Sequence, residues 1–190
     1  MGVAGSAART DSTAETPKRT RSARVPEEPQ RDSAAANSGG AALGFTVGYS
    51  TRSLNDFIAM LAAHGVQRLV DVRTVPRSRH NPQFNRETLP QELLSAGIDY
   101  VHRPELGGLR KPRPDSVNTG WRNVSFRGYA DHMQTDAFGH GLDALIAQAP
   151  KEQLALMCAE AVPWRCHRSL IGDALLARGG PVEGIVDAPR

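Results

Sequence analysis

The run Phe45-Thr-Val-Gly-Tyr49 is short, apolar and followed by a turn, the mark of a buried strand. Beyond it Leu54, Phe57, Ile58 and Leu61 recur at i, i+3, i+4 and i+7, which predicts a helix packed along one face. Ser53 opens this helix, with Asp56 three residues on as an approximate capping box, and Gly65 stops it. The apolar, β-branched stretch from Arg68 to Val72 predicts a second strand. Strand, helix and strand in succession favour a parallel pair with a right-handed crossover.

A polar loop with two prolines follows from Arg73 to Asn85, and Thr88 caps a short helix ending near Gly97. Asp99 to His102 reads as a third strand. Residues 104–125 carry Pro, Gly, Arg and Asn without periodicity, and loops that long inside a domain are more often functional than idle. Tyr129 to Ala149 reads as a helix broken at Gly139-His-Gly141. Leu154 to Cys158 is a strongly apolar strand, Cys166 to Arg178 an amphipathic helix, and Val182 to Val186 a last strand. The alternation predicts an α/β fold, a mostly parallel sheet flanked by helices on both faces.

Composition changes this picture at one end. Residues 1–40 contain no Leu, Ile, Phe, Tyr, Trp, Cys or His, and 24 of the 40 are Ala, Ser, Thr, Pro or Gly. Such a segment buries too little apolar surface to offset its conformational entropy, so residues 1–42 are expected to be a disordered tail and 43–190 a single domain. The segment lacks the apolar core of a secretory signal, and its five acids do not suit a transit peptide. No apolar run approaches membrane length. With only Cys158 and Cys166 and no secretion signal, a cytoplasmic location without structural disulfides is expected.

The net charge of +3 is unevenly spread. Residues 73–127 hold ten Lys/Arg against five Asp/Glu, whereas 128–190 hold five against eight, so the basic character is local. A basic segment of this kind attracts anions, although many are simply solvated loops.

Ligands of open α/β sheets bind beyond the carboxyl ends of the strands. Three polar clusters follow proposed strands here. Asp71, Arg73, Arg77, Arg79, His80 and Asn81 come after the second. Arg103, Glu105, Gly107, Gly108 and Arg110 come after the third. Cys158, Glu160, Arg165, Cys166, His167 and Arg168 come after the fourth. Cys166 at an expected helix start would have its thiol pKa lowered, as a nucleophile requires, yet both cysteines are equally readable as small core residues, Cys158 especially. Glu160 and His167 are the candidate acid and base, and His80 in a loop of arginines is another candidate base. Six residues separate Cys158 from Arg165, one more than the phosphatase loop has. Adjacent Cys166 and His167 make poor use of a tetrahedral metal site, so no cofactor is expected; a single metal ion completed by a distant His80 or His132 remains an option. Neither a Rossmann nor a Walker glycine pattern occurs.

Together Thr46-Val-Gly-Tyr-Ser50, Asp71-Val-Arg73, Pro76-Arg-Ser-Arg79, Phe84-Asn85, Leu106-Gly-Gly108, Gly128-Tyr-Ala-Asp-His-Met133 and Cys158-Ala-Glu160 with Cys166-His-Arg168 resemble the bacterial family catalogued as domain of unknown function 488. The resemblance spans residues 45–187 and implies a single α/β domain of soluble intracellular proteins with no assigned reaction. Its signature positions match Asp71, Arg73, Ser78, Arg79, Gly107 and Gly108, then Tyr129, Cys158, Glu160, Cys166, His167 and Arg168. Relatives carry histidine where Tyr49 and Gly184 stand here, which puts any step using those histidines in doubt.

The leading expectation is an enzyme acting on an anionic nucleotide, nucleic acid or phosphorylated substrate. In it Cys166, Glu160 and His167 are catalytic, and Asp71, Arg73, Arg77, Ser78, Arg79, His80, Gly107, Gly108, Arg110, Tyr129, Cys158 and Arg168 bind the substrate. The alternatives are a non-catalytic nucleic-acid or nucleotide-binding module, and a thiol redox sensor using both cysteines.

Overall fold

The computed structural model describes residues 42–187; the expected tail of residues 1–42 lies almost wholly outside them. Five parallel strands form one sheet in the order β3-β2-β4-β1-β5: β1 Gly44–Gly48, β2 Arg68–Asp71, β3 Asp99–His102, β4 Leu154–Cys158 and β5 Val182–Ile185. The central strand β4 pairs with β1 on one side and β2 on the other, with Gly48 opposite Cys158 and Asp71 opposite Met157. The carboxyl ends of these three strands therefore lie side by side.

The strands alternate their apolar residues between two cores, as the period of two in an extended chain requires. On one face Val47, Leu69, Ala155 and Met157 pack against α1 (Leu54–Ala63) and α2 (Leu89–Ser95). On the other, Val70, Leu154, Leu156 and Cys158 meet α3 (Val124–His132), α4 (Asp136–Gln148) and α5 (Arg168–Ala177). The sheet is thus covered on both faces. All five residues of β4 are buried, which explains why its sequence is continuously apolar. No helix among the described residues is long and apolar enough to cross a membrane.

Local signals act as their chemistry dictates at α1, where the Ser53 hydroxyl accepts from the Asp56 backbone N–H and donates to the Asp56 carboxylate. Thr88 caps nothing: its hydroxyl donates to the carbonyl groups of Pro82 and Asn85, and the short helix starts without it. The expected helix break at Gly139-His-Gly141 is corrected. Those residues lie inside α4, and the chain turns instead at Met133 to Thr135, where Thr135 accepts from the Phe138 backbone N–H. Residues 104–125 are not wholly irregular either: Pro104–Leu106 forms a 3₁₀ turn and α3 begins at Val124. The expected helix start at Cys166 moves two residues on. Pro163–Arg165 is another 3₁₀ turn, Cys166 is extended after it, and α5 begins at Arg168.

Candidate functional site

At the carboxyl ends of β1, β2 and β4 the chain encloses a cleft of about 370 Å³. Its floor is made by Cys158 at the end of β4 and by Cys166 and His167 in the link to α5. One donor atom from each of these three lies within 4.8 Å of those of the other two. Arg77, Ser78, Glu160 and Arg165 stand along its walls, with Tyr129 and Phe126 of α3 closing the side.

His167 is fixed from three directions. Its Nε2 lies 3.0 Å from the carbonyl oxygen of Val72, which can only accept, so Nε2 carries the proton and the lone pair of the neutral ring is on Nδ1. Nδ1 faces the Cys166 Sγ at 3.8 Å. The Tyr129 ring stands 5.0 Å away, centroid to centroid, at 60°. Gly108 closes the other approach. A Cβ there would fall nearest Nδ1 and only 2.6 and 2.9 Å from Cγ and Cε1, over the face of the ring. Its neighbour Gly107 passes equally close to Thr74, where a Cβ would come within 2.8 Å of the backbone. The paired glycines thus let residues 106–109 lie against both the loop after β2 and the imidazole.

The two thiols are unequal. The neighbouring Cys166 thiol holds the Cys158 thiol well below the ordinary range, against the opposing effect of burial. Cys166 is pushed up, first by its neighbour Cys158 and then by burial. Thiols this close titrate as a coupled pair, in which Cys158 is the lowered member and Cys166 the raised one.

Behind the floor, Asp71 is fully buried and grips Arg73 through two hydrogen bonds of 2.8 and 2.6 Å. Arg73 also donates to the Phe84 carbonyl and to the Tyr49 hydroxyl, so a single guanidinium N–H is left for anything in the cleft. Burial works against its charge, but Asp71 outweighs burial and raises its pKa. The Tyr100 hydroxyl donates to the second carboxylate oxygen of Asp71, and burial followed by that negative neighbour pushes the Tyr100 pKa up. Arg168, 1% exposed, spends its guanidinium on the carbonyl groups of Val47, Glu160 and Ala161, tying the end of β1 to the chain after β4.

The fold therefore brings Arg73, Arg77, Ser78, Gly108, Tyr129, Cys158, Glu160, Cys166 and His167 to one cleft. Asp71 and Arg168 reach the same edge but are taken up internally. Arg79 and His80 are exposed on the loop after β2 and do not line the cleft. Gly107 and Arg110 lie just outside it, Arg110 donating to the carbonyl groups of Gly107 and Pro104. His132 uses Nε2 on the Glu105 carbonyl, so neither it nor His80 joins the thiol–imidazole cluster. Of the two positions where the resemblance implies histidine, Tyr49 is buried at the cleft wall, stacked 4.2 Å from Phe84, and Gly184 is exposed on β5 away from the cleft.

Sequence reading missed the Val72 carbonyl, because a backbone group leaves no mark in residue type. Phe126, three residues before Tyr129 on α3, is half-buried and lines the cleft as well.

No curated protein and no solved structure matches this chain. The family model described as "Domain of unknown function DUF488" matches residues 53–175, a span that runs from the opening of α1 into α5 and takes in every residue of the cleft except Tyr49. With most of the chain matched and the cleft inside the match, the protein belongs to the DUF488 family.

Proposed function

We propose that the protein is an enzyme acting on an anionic substrate, a nucleotide, nucleic acid or phosphorylated metabolite, held in the cleft above Cys158, Cys166 and His167. The observation that carries this reading is the meeting of a thiol–imidazole cluster with Arg165, which has no ion-pair partner among the described residues, in one cavity of small-molecule size. Arg77, exposed and held 2.8 Å from Glu87, is the second cation at the mouth. Such arginines hold an anion with charge-assisted hydrogen bonds, while the cluster below supplies the reactive group. Glu160, exposed at the lip, is placed to move a proton between substrate and solvent.

Titration of the reduced chain with nucleoside phosphates, a sugar phosphate and a short single-stranded oligonucleotide tests this, with products sought by mass spectrometry. At least one of these is expected to bind less tightly as salt rises, and about tenfold less tightly after Arg165→Ala. Cys158→Ser should abolish turnover and keep binding. Binding without turnover in the unaltered chain would leave a non-catalytic module, and no binding at low salt would remove the reading altogether.

A further inference from the structure

We infer that Cys158 Sγ, Cys166 Sγ and His167 Nδ1 form a three-donor site for a zinc-class divalent ion, with its remaining position open to the cleft. The inference deepens the enzyme reading by naming what the cluster holds, and the binding itself can be measured without any substrate.

Adjacent cysteine and histidine make an unpromising pair for one ion in sequence, but the backbone overcomes this. Cys166 is extended, with φ −126° and ψ 140°, and His167 then turns to φ −58° and ψ −20° at the start of α5. The change of direction lets both side chains face the end of β4, where Cys158 is waiting. The ring then presents Nδ1 rather than Nε2, because Nε2 donates to the Val72 carbonyl. A ligating imidazole whose other nitrogen is held by a backbone carbonyl is the usual arrangement at metal centres, since it fixes both tautomer and ring direction. Gly108 keeps the ring face clear without covering the lone pair.

The spacing suits the ion. Zinc bonds of about 2.3 Å to sulfur and 2.0–2.1 Å to nitrogen put tetrahedral ligands about 3.6–3.8 Å apart. The Cys166 Sγ to His167 Nδ1 distance is 3.8 Å, and all three donors fall within 4.8 Å of one another. A contraction of no more than about 1.2 Å therefore closes the site.

The donor chemistry selects the metal. Two thiolates and an imidazole suit zinc and its soft or borderline neighbours, and offer no carboxylate oxygen for magnesium or calcium. A dication balances two thiolates, and any thiol proton passes to solvent as both sulfurs bond to the ion. All three donors line the cleft, so the fourth position lies where the anionic substrate is proposed to sit.

Cobalt(II) added to the reduced, chelator-treated full chain tests the site, because thiolate ligation gives a near-ultraviolet charge-transfer band. One equivalent should saturate the band, and zinc should displace the cobalt. Cys158→Ser and Cys166→Ser should each remove most of the band, and His167→Ala should weaken binding by about tenfold or more. Zinc should also protect Cys158 of the unaltered chain from alkylation, a reading that needs no variant to fold. A chain that shows no thiolate band, or whose Cys158 alkylates equally fast with and without zinc, overturns the site. So does a band that survives Cys158→Ser. Anion binding at Arg165 is measured separately with and without zinc, so loss of the metal site and loss of the enzyme reading give different results.

Discussion

Gly108 lies against the face of the His167 imidazole so closely that no side chain fits between them. The ring cannot retreat without breaking the Nε2 bond to Val72, and Tyr129 stands beside it. Gly108→Ala should therefore force the ring or residues 106–109 to shift, at about 1–3 kcal/mol, the usual cost of overpacking. Urea unfolding measures that cost, and unfolding indistinguishable from the unaltered chain would mean that the segment yields freely. The same variant should weaken cobalt binding, because the ring is the part displaced.

Asp71 and Arg73 make a second constraint, one of charge rather than volume. The carboxylate is fully buried and the arginine is 6% exposed, so neither has water to fall back on. Asp71→Asn keeps the shape but leaves the guanidinium facing a neutral amide and removes the acceptor of the Tyr100 hydroxyl at its present charge. Breaking a buried pair on one side costs about 3–5 kcal/mol. A midpoint shift in denaturant equivalent to less than about 1 kcal/mol would show that the pair contributes little.

How far the sequence carries depends on how local each cause is. β4 is five apolar residues between polar flanks, and its strand is legible because burial on both faces leaves no alternative pattern. The break between α3 and α4 was not legible, because Gly139 and Gly141 look like helix breakers while Gly141 in fact lets α4 approach Leu106. The edge that gathers the clusters follows from parallel topology alone. Whether a cluster residue turns toward the cleft does not: Arg168 and Arg165 differ by three positions, yet one is sealed among carbonyl groups and the other is exposed. Cys158 and Cys166 stand eight positions apart, and only the return of the chain from β4 towards α5 brings their sulfurs together.

The N-terminus of α1 offers a purely local test. Ser53 satisfies the Asp56 backbone N–H, and removing its hydroxyl leaves that donor to water. Ser53→Ala should cost about 1 kcal/mol, while Ser53→Asp should be close to neutral because an acid also caps and favours the helix dipole. Denaturant midpoints of the two variants decide it; equal loss in both would point to the Ser53 to Asp56 side-chain hydrogen bond as the important contact instead.

The pH dependence of alkylation separates the two thiols of the reduced, chelator-treated chain. The thiolate is the reactive form, so a thiol whose pKa is lowered keeps its full rate well into the acid range and loses it only when pH falls through that lowered value. An ordinary thiol near 8.5 instead gains about tenfold in rate per pH unit up to that point. Cys158, lowered first by the neighbouring Cys166 thiol, should react with iodoacetamide at nearly the same rate at about pH 6 and about pH 8. Cys166, raised by its neighbour Cys158 and by burial, should stay unmodified across that window. Peptide mapping by mass spectrometry reads each site separately. In Cys166→Ser a hydroxyl replaces the thiol, so the flat profile of Cys158 should persist but move toward higher pH. A Cys158 rate that climbs steeply from about pH 6 in the unaltered chain would mean that Cys158 is not the lowered member of the pair.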